Sequence, residues 1–143
     1  MAVSPSSACL ALPGPISTNN LFCNVPGKGR VHSAKYKTWR ASVLDAIRAN
    51  ASPRFTLPVA ITLYVGEHSV GNMDSDNTLK GYLDAFVRAG VIVDDSRRWV
   101  RSATAVWTPA MAGAVAVIEL APLSPVASEI VALVPRGLRE LLR

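Results

Sequence analysis

The chain has 143 residues, half of them apolar and 6% aromatic, with fifteen Lys and Arg against ten Asp and Glu for a net charge of +5. A chain of this length buries roughly 70% of the surface its unfolded form exposes, so one domain is expected and no disulfide or structural metal is needed to hold it together. The apolar runs are broken by Pro, Gly or Ser well short of the ~20 residues of a membrane span, and the first sixteen residues lack the basic start and unbroken apolar centre of an export signal. A cytoplasmic protein with no membrane partner is therefore expected, and the positive balance favours a polyanion such as nucleic acid. Cys9 and Cys23 have no metal-ligand spacing and read as two reduced thiols, and His32 and His68 are too few and too isolated for a zinc site.

In chain order, residues 7–12 suit a short buried strand ended by Pro13-Gly14-Pro15. The stretch through Asn19-Asn20 and Pro26-Gly27-Lys28-Gly29-Arg30 reads as a loop. Ser33 is expected to cap a helix running to about Asn50, because Tyr36, Trp39, Val43, Leu44 and Ile47 recur at helical spacing. Val59, Ile61, Leu63 and Val65 alternate with their neighbours in the two-residue period of a strand. A second helix follows, capped at Asp76 or Asn77, with Leu79, Leu83, Phe86 and Val87 as its buried stripe and Gly90 as its stop. Two more strands are expected around 102–107 and 114–120, joined by a turn at Pro109 to Gly113. From Ser124 onward the chain reads as a Pro-punctuated helical tail, with Leu138, Leu141 and Leu142 opposite Arg136, Arg139 and Arg143. The order of elements predicts an α+β fold, a small mixed sheet with helices packed on it, over 1–124, and a tail of undefined role over 125–143.

Charge is unevenly spread. Five of the ten acidic residues, Asp74, Asp76, Asp84, Asp94 and Asp95, fall in one short stretch of an otherwise basic chain. Lys28, Arg30, Lys35, Lys37 and Arg40 crowd one segment before it, and Arg97, Arg98 and Arg101 follow directly after it. Basic groups that bracket carboxylates suit a phosphate-binding cleft with a divalent cation at its floor. In an extended stretch Asp74 and Asp76 would face the same way, and Asp76, Lys80 and Asp84, spaced by four, would share one helix edge. A calcium loop of the EF-hand type is excluded, because Leu79 stands where it requires Gly and Ala85 where it requires a bidentate Glu. An oxygen-ligand Mg²⁺ site remains, with Asp74, Asp76 and one of Asp94 or Asp95 as donors.

Read as a unit, Asp74-x-Asp76-Asn77-x-x-Lys80-x-x-x-Asp84-Ala85 followed by Ala89-Gly90-Val91-Ile92-Val93-Asp94-Asp95 resembles the signature of the RusA-like Holliday junction resolvases, endonucleases carried by many prophages. The resemblance extends from about residue 10, through Leu12-Pro13, Asn19-Asn20 and Gly29-Arg30, to about residue 120. It implies metal-binding carboxylates at Asp74, Asp76 and Asp95 and a catalytic lysine at Lys80, with Asn77, Asp84 and Asp94 in supporting positions. It also implies a homodimer that uses Mg²⁺ to resolve four-way DNA junctions by paired symmetric nicks. One departure concerns the stretch before Asp74, which reads His68-Ser69-Val70-Gly71-Asn72-Met73 where a family member carries a run of arginines. Two other functions fit the same residues: a nuclease for other branched DNA such as forks and flaps, and a non-catalytic DNA-binding structural protein whose acidic residues only cap helices.

Overall fold

The computed structural model describes residues 4–70, 73–122 and 127–142. In chain order the elements are β1 (Ser7–Leu12), β2 (Phe22–Val25), β3 (Gly29–His32), α1 (Ala34–Ala49), β4 (Val59–Gly66), α2 (Leu79–Ala89), β5 (Val100–Thr108), β6 (Ala114–Leu120) and α3 (Ala127–Ala132), with short 3₁₀ turns between some of them. Four strands form one sheet in the order β1-β6-β4-β5, in which only β4 and β5 run parallel, and β2 and β3 form a separate antiparallel hairpin. The fold is α+β, as the sequence predicts.

Alternation along the strands decides where the core lies. Val59, Ile61, Leu63 and Val65 of β4 all point to one face and are buried, beside Leu10 and Leu12 of β1 and Ala114, Ala116 and Ile118 of β6. Val43 and Ile47 of α1 and Tyr82, Ala85 and Phe86 of α2 close over that face as a single cluster. Each such aliphatic side chain contributes about 1.5–3 kcal/mol by leaving water, so the two helices are held chiefly by this face.

Both long helices start and stop where local chemistry provides for it. Ser33 accepts from the Tyr36 amide at 3.0 Å and caps α1. At the other end Asn50 donates to the carbonyls of Ala46 (2.6 Å) and Ala11 (3.0 Å) and accepts from the Ala11 amide, which stitches the helix end to β1. The start of α2 is at Thr78, later than the expected Asp76 or Asn77, because residues Ser75–Asn77 form a 3₁₀ turn of their own. Its stop is Gly90, at φ 75° in the left-handed region that glycine adopts without steric cost. The expected stripe of α2 is rotated. Gly81, Tyr82, Ala85 and Phe86 are the buried positions, and Leu79, Leu83 and Val87 pack at the margin of the core.

One further expectation is corrected. Residues 22–32, read as loop, are the β2–β3 hairpin, closed by a turn in which the Lys28 amide donates to the Val25 carbonyl at 3.0 Å. β5 and β6 stand as the expected strands around the 109–113 connection, and they flank β4 rather than each other. The connection over 109–113 therefore crosses the end of β4. There the Gly66 amide donates to the Gly113 carbonyl at 2.8 Å, and a Cβ on Gly66 would collide with the backbone of Met111. The tail divides into α3 and a 3₁₀ segment over Arg136–Leu142, on either side of Pro135. Arg139 is turned back onto the Val134 carbonyl at 2.8 Å, while Leu138 and Leu141 are exposed. The expected boundary at 124/125 lies outside the described residues, as do Gly71, Asn72 and Arg143. Cys9 and Cys23 are free and exposed, and among the described residues no helix is long and apolar enough to cross a membrane.

Candidate functional site

Lys80 projects from the first turn of α2. Its Nζ lies 2.9 Å from Asp84 Oδ1, one helical turn on, and 3.4 Å from Asp95 Oδ2, fifteen residues on. The first contact is the i,i+4 pairing that helix geometry provides. The second depends on the chain reversing at Gly90: the Val91 amide donates to the Phe86 carbonyl at 2.9 Å, the Phe55 amide donates to Val91 at 2.8 Å, and Val91 and Ile92 are buried. This anchored segment carries the Asp94-Asp95 pair back alongside the start of α2.

Around Lys80 the hydrogen bond it donates to Asp84 and the charges of Asp84 and Asp95 outweigh the opposing effect of partial burial, and hold the ammonium above its ordinary pKa of 10.5. Lys80 is thus a fixed positive charge at neutral pH, unsuited to act as a general base. All three side chains remain part-exposed, so the pairing contributes about 0–1 kcal/mol to stability.

The two members of the Asp94-Asp95 pair have different partners. Asp94 accepts from the Ser96 hydroxyl and from the backbone amides of Asp95 and Ser96, which lowers its pKa. It organises the turn in which the amides of Trp99 and Val100 both reach the Ser96 carbonyl at 2.9 Å. Asp95 faces Lys80.

Asp76 sits on the Ser75–Asn77 3₁₀ turn before α2, and Asp74 directly precedes that turn. The Asn77 amide donates to the Asp74 carbonyl at 3.1 Å, so the segment is not the extended stretch that the sequence suggests. Asp76 accordingly precedes α2, and the expected helix edge is reduced to Lys80 and Asp84. Both carboxylates are exposed, with no ion pair among the described residues. Among those residues no three His, Cys, Asp or Glu side chains are grouped so as to hold a metal ion. Asp95 is turned to Lys80 and does not complete a ready-made cage with Asp74 and Asp76. In donor chemistry the set still suits a hard cation, being carboxylate oxygens only, two of them at one turn.

The expected phosphate-binding residues form two groups. Lys28 lies in the hairpin turn, Arg30 on β3 with its guanidinium 4.4 Å from the Phe22 ring centroid, and Lys35 and Lys37 on the exposed first turn of α1. Arg40 lies over Tyr36 at 5.2 Å. In the second group Arg97 and Arg98 are exposed just after Asp95, and Arg101 donates to the Arg97 carbonyl at 3.1 Å.

A run of rings links the hairpin to the core. From Phe22 through His32, Tyr36, Trp39 and Tyr82 to Phe86, successive centroids are 5.0–6.4 Å apart. Trp39 and Tyr82 donate to the carbonyls of Gly14 (2.7 Å) and Pro13 (2.6 Å), and Thr18 donates from its hydroxyl to the Asn77 carbonyl at 3.2 Å. The 13–20 segment is thereby fastened both to the helices and to the acidic turn. Beside it a cavity of about 290 Å³ is lined by Thr18, Asn19, Phe22, Cys23, Asn24 and Arg30. Sequence reasoning passed over this cavity. Its signal was the Pro-Gly-Lys-Gly turn between Phe22-Cys23-Asn24-Val25 and Arg30-Val31-His32, the mark of a hairpin. No protein-family model matches the chain, and no curated protein matches it.

Proposed function

We propose that the protein is a Mg²⁺-dependent endodeoxyribonuclease that acts on branched DNA, with the four-way junction as its substrate. The observation that carries the reading is Lys80, held between Asp84 and Asp95 beside the Asp74–Asp76 turn, on a chain whose other exposed charge is mainly positive. Phosphodiester hydrolysis needs positive charge where the phosphate oxygens become more negative, and a permanently protonated amine held by two carboxylates supplies it without reorganisation. Asp74, Asp76 and Asp95 would hold the ion, which when bound polarises the scissile phosphate and acidifies a water. In the hydrolysis the water oxygen bonds to phosphorus as the bond to the 3′ oxygen breaks, leaving a 5′ phosphate and a 3′ hydroxyl. Asp84 keeps Lys80 oriented throughout.

Lys28, Arg30, Lys35, Lys37 and Arg40 would take up phosphates of one DNA arm, and Arg97, Arg98 and Arg101 those of a strand nearer the acidic residues. Such contacts make binding steeply salt-dependent and indifferent to sequence. Resolving a junction takes two nicks related by a two-fold axis, so the protein would act as a homodimer with one site per protomer.

The test is a cleavage assay on a mobile four-way junction, a fork and a flap, with and without Mg²⁺, mapped to the nucleotide. Paired symmetric nicks in the junction that require Mg²⁺ are expected, and preferential cutting of the fork or flap would reassign the substrate. The Lys80 pairing with Asp84 and Asp95 also fits a second reading, a non-catalytic DNA-binding protein in which Lys80 only braces α2. Calorimetric titration with Mg²⁺ separates the two, because a protein without an ion site gives no saturable heat for Asp74→Asn to remove.

A further inference from the structure

We infer that the cavity between the Thr18–Asn20 turn and β2 receives a single unpaired nucleobase of the DNA strand presented to Lys80. The inference rests on the proposed nuclease function and assigns that function a subsite.

The lining has the chemistry of base recognition. Phe22 offers an aromatic face, on which an unstacked base gains as much as on its neighbours in a strand. In the free protein the Arg30 guanidinium lies over this ring, at 4.4 Å from its centroid. It is a cation on a flexible stem that a base can displace toward its own phosphate. Asn24 and Arg30 are directly opposed in the hairpin register, as are Phe22 and His32, so all four share one face of the ribbon. The carboxamides of Asn19 and Asn24 each present a donor and an acceptor, the pair that a base edge requires. Among the described residues neither side chain makes a hydrogen bond, so both are available to a ligand. At about 290 Å³ the cavity lies at the small end of ligand sites, which suits one base and no larger group.

The position matters as much as the lining. Thr18, in the cavity wall, is hydrogen-bonded to Asn77 on the turn that bears Asp76, so a nucleotide seated here is a neighbour of any phosphate held at the acidic turn. The wall is also preorganised. Ser17 caps its turn by accepting from the Asn19 amide, the Ser33 amide donates to the Leu21 carbonyl at 3.0 Å, and the Ser33 hydroxyl donates to Asn20. A base within a duplex is stacked and cannot enter, whereas one at a branch point can. The cavity thus supplies a reason to prefer branched DNA that phosphate contacts alone do not, together with a base preference close to the cut.

Cys23 in the wall makes the occupant detectable without catalysis, and Cys9, on β1, is an internal reference. The full-length protein is alkylated with iodoacetamide, without Mg²⁺, in the presence of a short single-stranded oligonucleotide or of the same oligonucleotide made abasic. Intact DNA is expected to slow labelling of Cys23 about tenfold, with Cys9 unaffected and the abasic strand without effect; Phe22→Leu, which keeps the apolar volume and removes the ring, is expected to weaken binding about tenfold. Asn24→Ala, at an exposed position, should weaken binding of the preferred base and flatten the dependence on base identity. Equal protection of both thiols, equal protection by the abasic strand, or undiminished binding by a folded Phe22→Leu protein overturns the subsite. Junction cleavage by the wild-type protein is read separately: protection of Cys23 without cleavage removes the nuclease and keeps the base receptor, and cleavage without protection does the reverse.

Discussion

At one acidic turn, Asp94 is bound by the Ser96 hydroxyl and backbone amides, and Asp95 lies 3.4 Å from Lys80, on a segment pinned by two buried side chains. At the other, Asp74 and Asp76 are exposed at and just before the Ser75–Asn77 3₁₀ turn and have no partner of opposite charge among the described residues. The first turn has its electrostatic needs met within the fold. At the second, two carboxylates two residues apart face solvent without such a partner. The contrast is between carboxylates engaged within the fold and carboxylates left open to solvent.

The sharpest way to break this contrast is Asp76→Asn. We expect a loss of Mg²⁺-dependent junction cleavage of at least roughly 100-fold, with the melting temperature unchanged and junction binding kept or tightened. Undiminished cutting would remove Asp76 from the chemistry. Next, Lys80→Ala should slow cleavage by on the order of 100-fold while changing stability by no more than about 1 kcal/mol, because its ion pairs are part-exposed. If denaturant unfolding instead shows a collapse, the lysine is a brace and the DNA-binding reading gains. Because Lys80 is held above 10.5, its contribution to stability is fully present below that pH and is lost only as pH rises through the higher folded value. The cleavage profile should therefore show no loss from lysine deprotonation around neutral pH, and such a loss only as pH rises through a value above 10.5.

Gly90→Ala tests whether the delivery of Asp95 depends on the left-handed stop of α2. Placing a side chain at φ 75° should cost about 1–2 kcal/mol in denaturant unfolding. Cleavage by the folded fraction should weaken as well, since the segment that carries Asp95 starts there. The smallest effect is expected for Asp94→Asn. Its carboxyl titrates below the ordinary 3.8, so the stability it contributes is present above that pH and is lost as pH falls through the lower folded value. Melting curves of wild type and variant should differ at neutral pH and converge in acid; a constant difference would show that the charge is not what holds the turn.

Much of this contrast could be read from the residues, and the reasons for the remainder are physical. Ser33, the α1 stripe apart from Leu44, the β4 alternation and Gly90 are local signals, each decided within a few residues, and each stands where the sequence places it. The Lys80–Asp84 contact follows from helix spacing in the same way. Short Asx- and Ser-rich stretches favour turns that satisfy their own backbone, which is why Asp74 to Asn77 is a 3₁₀ turn where alternation suggested extended chain. The hairpin escaped because Phe-Cys-Asn-Val and Gly-Arg-Val-His are four residues each and lack a consistent apolar face, so only their pairing reveals them. Strand order is the least local property of all. Nothing in residues 114–120 distinguishes a partner of β5 from a strand that pairs with β1 on one side and β4 on the other.

That last placement affects how the chain acquires its shape during synthesis. Among the described residues β1 pairs with no strand other than β6, which begins more than a hundred residues later. Until residue 120 has left the ribosome, the first strand to emerge has no sheet to join, and β4 has one edge unfilled. Closure of the sheet is therefore a late, long-range event that waits on the final strand, and a chain cut short before it would expose two adhesive edges at once.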